Sequence, residues 1–148
     1  MKMPDVNVLV YAHRTDEAVH TAYRKWLEDL VNAAEPFALS VLVAVGFVRI
    51  VTNPKIYRTP TPLATALATM DALATHARCR LVAPGIDHWQ HVADVCRRTA
   101  ATGKLVADAQ HAAIAIAEGC TWATRDEDFA LFEPVGLSWE HVELGERR

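Results

Sequence analysis

Gly119 separates two segments that between them decide the fold class. Before it, Ala109, Ala112, Ala113, Ile114, Ile116 and Ala117 recur at helical spacing from about Ala107 onward, and their small side chains allow a helix to lie close to whatever it covers. Directly after it, residues 120–123 form a short apolar run with the length and content of a buried strand. A helix that stops on glycine and turns at once into a strand, repeated along a chain, stacks helices on a sheet.

The same alternation continues upstream. Val6, Val8 and Val10 suggest a strand over residues 3–10, with Pro4 at its start because proline cannot donate within a ladder. Asp16 and Glu17 favour the start of a helix whose inner face carries Ala22, Tyr23, Trp26, Leu27, Leu30 and Val31. Residues 36–39 read as a strand ending at Ser40, which is placed to cap an apolar helix through Val41, Val45, Val48 and Ile50 that stops near Asn53 and Pro54.

Thr61 and Pro62 open an alanine-rich helix to about His76, and residues 79–83 give the next strand. Asp87 is placed to cap a helix in which Trp89, Val92, Ala93 and Cys96 share a face and which ends at Gly103. A late strand near residues 139–144 completes an α/β fold, a mostly parallel central sheet flanked by helices. At 148 residues the expectation is one domain over residues 1–144 and a short polar tail over 145–148.

The totals narrow the classes further. With 51% hydrophobic and 22% charged residues, a packed core is expected, and a formal charge of −3 argues against coating nucleic acid through overall positive potential. Cys79, Cys96 and Cys120 are odd in number and lack CxxC spacing, so they read as reduced core residues. The start of the chain has no secretory pattern, and the apolar run of residues 41–48 is too short to span a bilayer, so the expected location is the cytoplasm, with no membrane.

In an open parallel sheet, ligands gather beyond the carboxyl ends of the strands. Asp5, Asp108 and Asp126, with Asp128, fall near such ends although they are remote in sequence. Carboxylates crowded in a partly dry cleft repel unless neutralised, and their hard oxygens suit Mg²⁺ or Mn²⁺. Each acid also has a plainer reading. Asp108 serves as a helix-start charge worth about 0.3 to 1 kcal/mol, Asp126 as a cap for a short helix through Phe129 and Leu131, and Asp5 as a turn acid beside Pro4. Asn7 would share a strand face with Asp5, and Thr124 would bond to a carboxylate or water.

Three segments carry a resemblance. Asp5, Val6 and Asn7 resemble the opening D-x-N motif of PIN-domain proteins, "VADAQHAAIAIAEGC" resembles their third-acid helix, and "TRDEDFALF" resembles their closing T-x-D-x-D-F motif. "GFVRIVTNP" resembles the VapC subgroup of bacterial toxins, so the resemblance covers nearly the whole chain. It implies a PIN-like three-layer fold and a Mg²⁺- or Mn²⁺-dependent endoribonuclease toxin, silenced by a cognate VapB-like antitoxin. Its first, third and fourth acids map to Asp5, Asp108 and Asp126, with Asp128 assisting. It also implies that the first strand ends at Asp5, which would put Asn7 at the start of a short helix. One departure is clear: many relatives supply a glutamate from the helix here spanning residues 41–51, yet residues 37–49 contain no acid, and Val41 or Gly46 stands where it would be sought.

RNA cleavage needs cations beside an acidic pocket. Arg14, Arg49 and Arg125 are the candidates, with Lys55 and Arg58 nearby, and Arg125 lies within the acid run where it would reduce repulsion. His111 follows Asp108 by about one turn and reads as a contact to water or RNA, or as a packed edge residue. Three of the four tryptophans sit on apolar faces or in strands and read as core. The apolar face of residues 41–51 suits a homodimer interface, an antitoxin groove or burial within the monomer. Two rival readings are a PIN-fold protein that binds RNA or antitoxin without cleavage, and a small metal-dependent phosphatase, for which the DxDx[TV] motif is missing.

Overall fold

The structure, a computed structural model, describes residues 1–145, so the expected polar tail lies outside the described residues beyond Gly145. In chain order the elements are β1 (Lys2–Pro4), α1 (Val6–His13), α2 (His20–Asn32), β2 (Phe37–Ser40), α3 (Val41–Val51), α4 (Leu63–Ala74), β3 (Cys79–Val82), α5 (His88–Thr99), α6 (Lys104–Glu118), β4 (Thr121–Thr124), a 3₁₀ segment (Glu127–Val135) and β5 (Ser138–His141).

Among the described residues every strand pairing is parallel. β4 lies between β1 and β5, with Met3 opposite Trp122 and Trp122 opposite Trp139. β2 pairs with β3, with Leu39 opposite Leu81, and β2 packs beside β1. Successive residues of a strand face opposite sides of its sheet. Trp122 enters the main core with Met3, Phe129 and Phe132, whereas Ala123 enters a second core with Val8, Ala12, Tyr23 and Val142. Both faces are therefore covered by helices, the three-layer arrangement expected of a parallel sheet.

Several local expectations need correction. The strand expected over residues 3–10 stops at Pro4, and residues 6–13 are helical instead. Asp5 explains the break: it is extended (φ −76°, ψ 163°) and its Oδ1 accepts from the Val6 amide at 2.6 Å, so a side-chain cap starts a helix despite the β-branched residues that follow. Asn7 thus sits on a helix and not on a strand face.

Asp16 and Glu17 precede α2 without lying in it, since that helix begins at His20. Asp16 instead takes Arg14, and Glu17 accepts from the Tyr57 hydroxyl at 2.8 Å. Helix α5 ends at Thr99, because Ala100 adopts the left-handed conformation (φ 57°) and closes it; Gly103 (φ 60°) opens the next helix. The face of α5 is also rotated from the expected one. Val92 and Val95 are buried, while Trp89 is 74% exposed.

The other elements follow the sequence pattern closely. Val43, Phe47 and Val51 bury one side of α3, with Leu42, Ala44, Val48 and Ile50 packed against the core, so burial within the chain accounts for most of its apolar face. Ser40 holds the N-cap position of α3 without making the expected side-chain bond. The three cysteines are free and at least half-buried, in keeping with their reading as core residues.

Candidate metal centre

Parallel register delivers Asp5 to the exit of β4. The Asp5 amide donates to the Ala123 carbonyl at 2.8 Å and extends the β1–β4 ladder by one residue, which sets its carboxyl beside Thr124. Thr124 Oγ1 donates to Asp5 Oδ2 at 2.6 Å, and the Asp5 side chain is nearly enclosed. Burial pushes its carboxyl up to about 6, against the pull of the Thr124 and Val6 hydrogen bonds and with added repulsion from Asp108 and Asp126.

Thr124 and Asn7 hold the surrounding backbone. The Asp126 amide donates to Thr124 Oγ1 at 3.0 Å, so one fully buried hydroxyl positions two acids. Asn7 accepts from the Arg125 amide at 3.4 Å and reaches Thr124 Oγ1 at 3.5 Å, which joins the first turn of α1 to the end of β4. The helix position of Asn7, not a strand face, makes this bridge possible.

Asp126 divides its two oxygens between two tasks. Oδ1 accepts from the Asp128 amide at 2.9 Å and caps the 3₁₀ segment, while Oδ2 turns toward Lys104. Capping and charge clustering are therefore compatible readings of this one residue. Asp108 lies in the second turn of α6, not at its start, so its helix-start reading fails by one turn. Its carboxyl is raised by burial despite the opposing pull of Lys104.

Asp108, Asp126 and Asp128 can each present an oxygen within 4.8 Å of the others. Such a group suits a small divalent ion whose ligands lie about 2 Å from it. The cation now among them is Lys104, with Nζ 2.8 Å from Asp108 Oδ2, 2.9 Å from Asp126 Oδ2 and 3.4 Å from Asp128 Oδ2. These ion pairs raise the ammonium above its usual value, the Asp108 bond most and the Asp126 bond next. Asp5 is not one of the close trio. It borders it, near enough to feel the charges of Asp108 and Asp126.

Lys104 was missed by the sequence reading, although it stands four residues before Asp108, the helical spacing of an ion pair. Starting the helix near Ala107 hid that relation. The arginines take other places. Arg14 is buried, gripping Asp16 through Nε at 2.9 Å and Nη2 at 2.6 Å and donating to Thr61 at 3.1 Å. The Arg125 guanidinium stands 4.2 Å from the centre of the Tyr11 ring. Arg49 is exposed on the last turn of α3. His111 stacks on Trp122 at 5.1 Å, and burial lowers its imidazole to about 4, so it is a packed residue.

The wall where a glutamate was sought is filled by hydrocarbon. A Cβ at Gly46 would lie 3.0 Å from Val6 Cγ2, directly after Asp5 in the chain. The close approach of α1 and α3 thus uses the space that a side chain at position 46 would need.

The PIN domain family matches residues 2–133. Ribonuclease VapC43 of Mycobacterium tuberculosis is 40% identical over 137 residues, covering 93% of this chain and 92% of that protein. The chain belongs to the PIN-domain family, in its VapC branch. Ribonuclease VapC31 of the same species is 36% identical over 135 residues, covering 91% of this chain and 95% of its own.

Solved PIN structures agree on the fold. The M. tuberculosis toxin VapC20, which cleaves the sarcin-ricin loop, superposes with a TM-score of 0.66 at 16% identity, covering 96% of this chain and 98% of that one. Rickettsia felis VapBC2 bound to a promoter DNA fragment gives 0.66 at 18% identity, covering 94% and 96%. Both likenesses concern the fold, a parallel sheet flanked by helices.

Proposed function

We propose that this chain is a metal-dependent endoribonuclease toxin of a toxin-antitoxin pair, acting in the cytoplasm as one PIN-like domain over residues 1–144 and held silent by a VapB-like antitoxin. The observation that carries the reading is the meeting of Asp108 from α6 with Asp126 and Asp128 at the start of the 3₁₀ segment, their oxygens within 4.8 Å of one another, with Asp5 bordering them just after β1. The kinship with VapC ribonucleases supports the substrate class.

Mg²⁺ or Mn²⁺ held by Asp108, Asp126 and Asp128, with Asp5 at its edge, would supply Lewis-acid chemistry to an RNA phosphodiester and its attacking water. Asp5 is fixed by two bonds of 2.6 Å, which prevents it from turning away when charge builds nearby. Asn7 and Thr124 are supporting residues that hold Asp5 and the 125–126 backbone in register. Arg49 is the exposed arginine suited to the RNA backbone; we assign Arg14 and Arg125 to the scaffold, because their guanidinium groups lie over Tyr57 and Tyr11.

The expected products are a 5′-phosphate and a 3′-hydroxyl. Purified protein with Mn²⁺ should nick total RNA, and Asp5→Asn and Asp108→Asn should each abolish nicking. Undiminished nicking in both variants would refute the assignment. A non-cleaving RNA or antitoxin binder is the second reading, favoured by the apolar contact of Val6 where α3 would offer an acid. RNA binding without Mn²⁺-dependent products would decide for it. The association of two copies is proposed from the apolar α3, where Val45 is exposed between the buried Val43 and Phe47.

A further inference from the structure

Lys104 is placed by backbone geometry rather than by chance contact. Gly103 takes φ 60° and lets α6 begin at Lys104, so Lys104 and Asp108 stand one turn apart on the same side of the helix. Its ammonium touches Asp108, Asp126 and Asp128, the same three acids that could surround a divalent ion. Ammonium and ion cannot both occupy that point. An ion about 2 Å from those oxygens would leave a double positive charge against the lysine head.

The lysine can leave at small cost. Its side chain is 62% exposed on a flexible stem, so water solvates the ammonium once it lets go of the more enclosed Asp108 and Asp126. Once displaced, it stays tethered at the rim, where the anion arriving at a loaded site is the RNA phosphodiester. The geometry points to Lys104 as an exchanging counter-cation, seated on the carboxylates without a metal and moving to the substrate phosphate when the metal enters. This inference rests on the nuclease reading and adds a positioning residue to it.

Mn²⁺ titration by calorimetry on RNA-free protein tests the first half. Lys104→Met should bind Mn²⁺ about five- to tenfold more tightly than the native chain, the size of a few weak ion pairs no longer in competition. Lys25→Met, which removes the same charge from the exposed face of α2, should change the affinity less than twofold. Equal tightening in the two variants, or none in Lys104→Met, would overturn the exchange while leaving the metal site intact. Absence of Mn²⁺ binding in every protein would sink the nuclease reading together with it.

Steady-state cleavage at saturating Mn²⁺ tests the second half. Lys104→Met should raise KM for RNA about tenfold with a smaller change in kcat, as for loss of one charged hydrogen bond to phosphate. Lys104→Arg should restore KM to within about threefold, because it keeps the charge and the reach. A native KM in Lys104→Met, or equal defects in the Met and Arg variants, would refute the role at the phosphate.

Discussion

The Thr124 hydroxyl donates to Asp5 Oδ2 at 2.6 Å across 119 residues of sequence, while accepting from the Asp126 amide at 3.0 Å. This single oxygen is the joint between the end of β1 and the turn that carries the closing acids. Thr124→Val keeps the shape and removes both bonds. It should cost about 1 to 3 kcal/mol, since a buried carboxyl and a partly buried amide each lose a partner. Thr124→Ser should recover most of this in thermal unfolding. Native stability in the valine variant would mean that the hydroxyl holds nothing in place.

Asp5 gives the stability a definite pH signature. Below its ordinary value of 3.8 the carboxyl is protonated in the folded and unfolded chain alike, and above about 6 it is ionised in both. Between these limits the folded chain holds the extra proton, so the contribution of Asp5 to stability falls as pH rises from 3.8 to about 6. Asp5→Asn removes the buried charge and retains a capping oxygen. It should be more stable than the native chain at pH 7 by about 1 to 3 kcal/mol, with the gap closing toward pH 4. Denaturant melts of both proteins at matched pH check it, and a gap that widens on acidification would contradict the sign.

Much of this organisation was legible in the sequence, because α6, β4 and the helix of residues 41–51 have periodicity that tertiary packing only reinforces. Residues 6–13 deceived because alternating valines favour a strand, and one side-chain cap from Asp5 outweighed that preference; the family motif pointed the right way where propensity did not. Gly103 deceived differently. A glycine after a helix usually ends it, but Ala100 had already done so, and the shifted boundary hid the Lys104–Asp108 pair. Distances between Asp5, Thr124 and Asp126 depend on the β1–β4 register, which no local pattern encodes.

Arg14 and Arg49 separate folding from RNA contact. Arg14 is buried, bidentate to Asp16, bonded to Thr61 and 3.9 Å from the Tyr57 ring centre, so it ties the end of α1 to the segment after α3. Arg14→Met should destabilise by about 1 to 3 kcal/mol and leave KM for RNA within about twofold. Arg49→Met should do the opposite, shifting stability by less than about 0.5 kcal/mol and raising KM. Parallel melting and kinetic measurements distinguish the two, and a raised KM in Arg14→Met at full folding would return it to the RNA surface.

Gly46 decides whether the α3 wall can accept a side chain. Alanine in a helix interior gains about 1 kcal/mol over glycine, but here its Cβ would meet Val6 Cγ2 at 3.0 Å. Val6 sits in the first turn of α1 with its χ1 restricted by branching, so it yields poorly, and overpacking costs about 1 to 3 kcal/mol. The contact term should win: Gly46→Ala destabilises the native chain. In a Val6→Ala background the same substitution should become neutral or stabilising, a coupling of about 1 kcal/mol or more in a double-mutant cycle. Additive effects would show that the two helices have room to part, and that Val6 does not bar an acid from that wall.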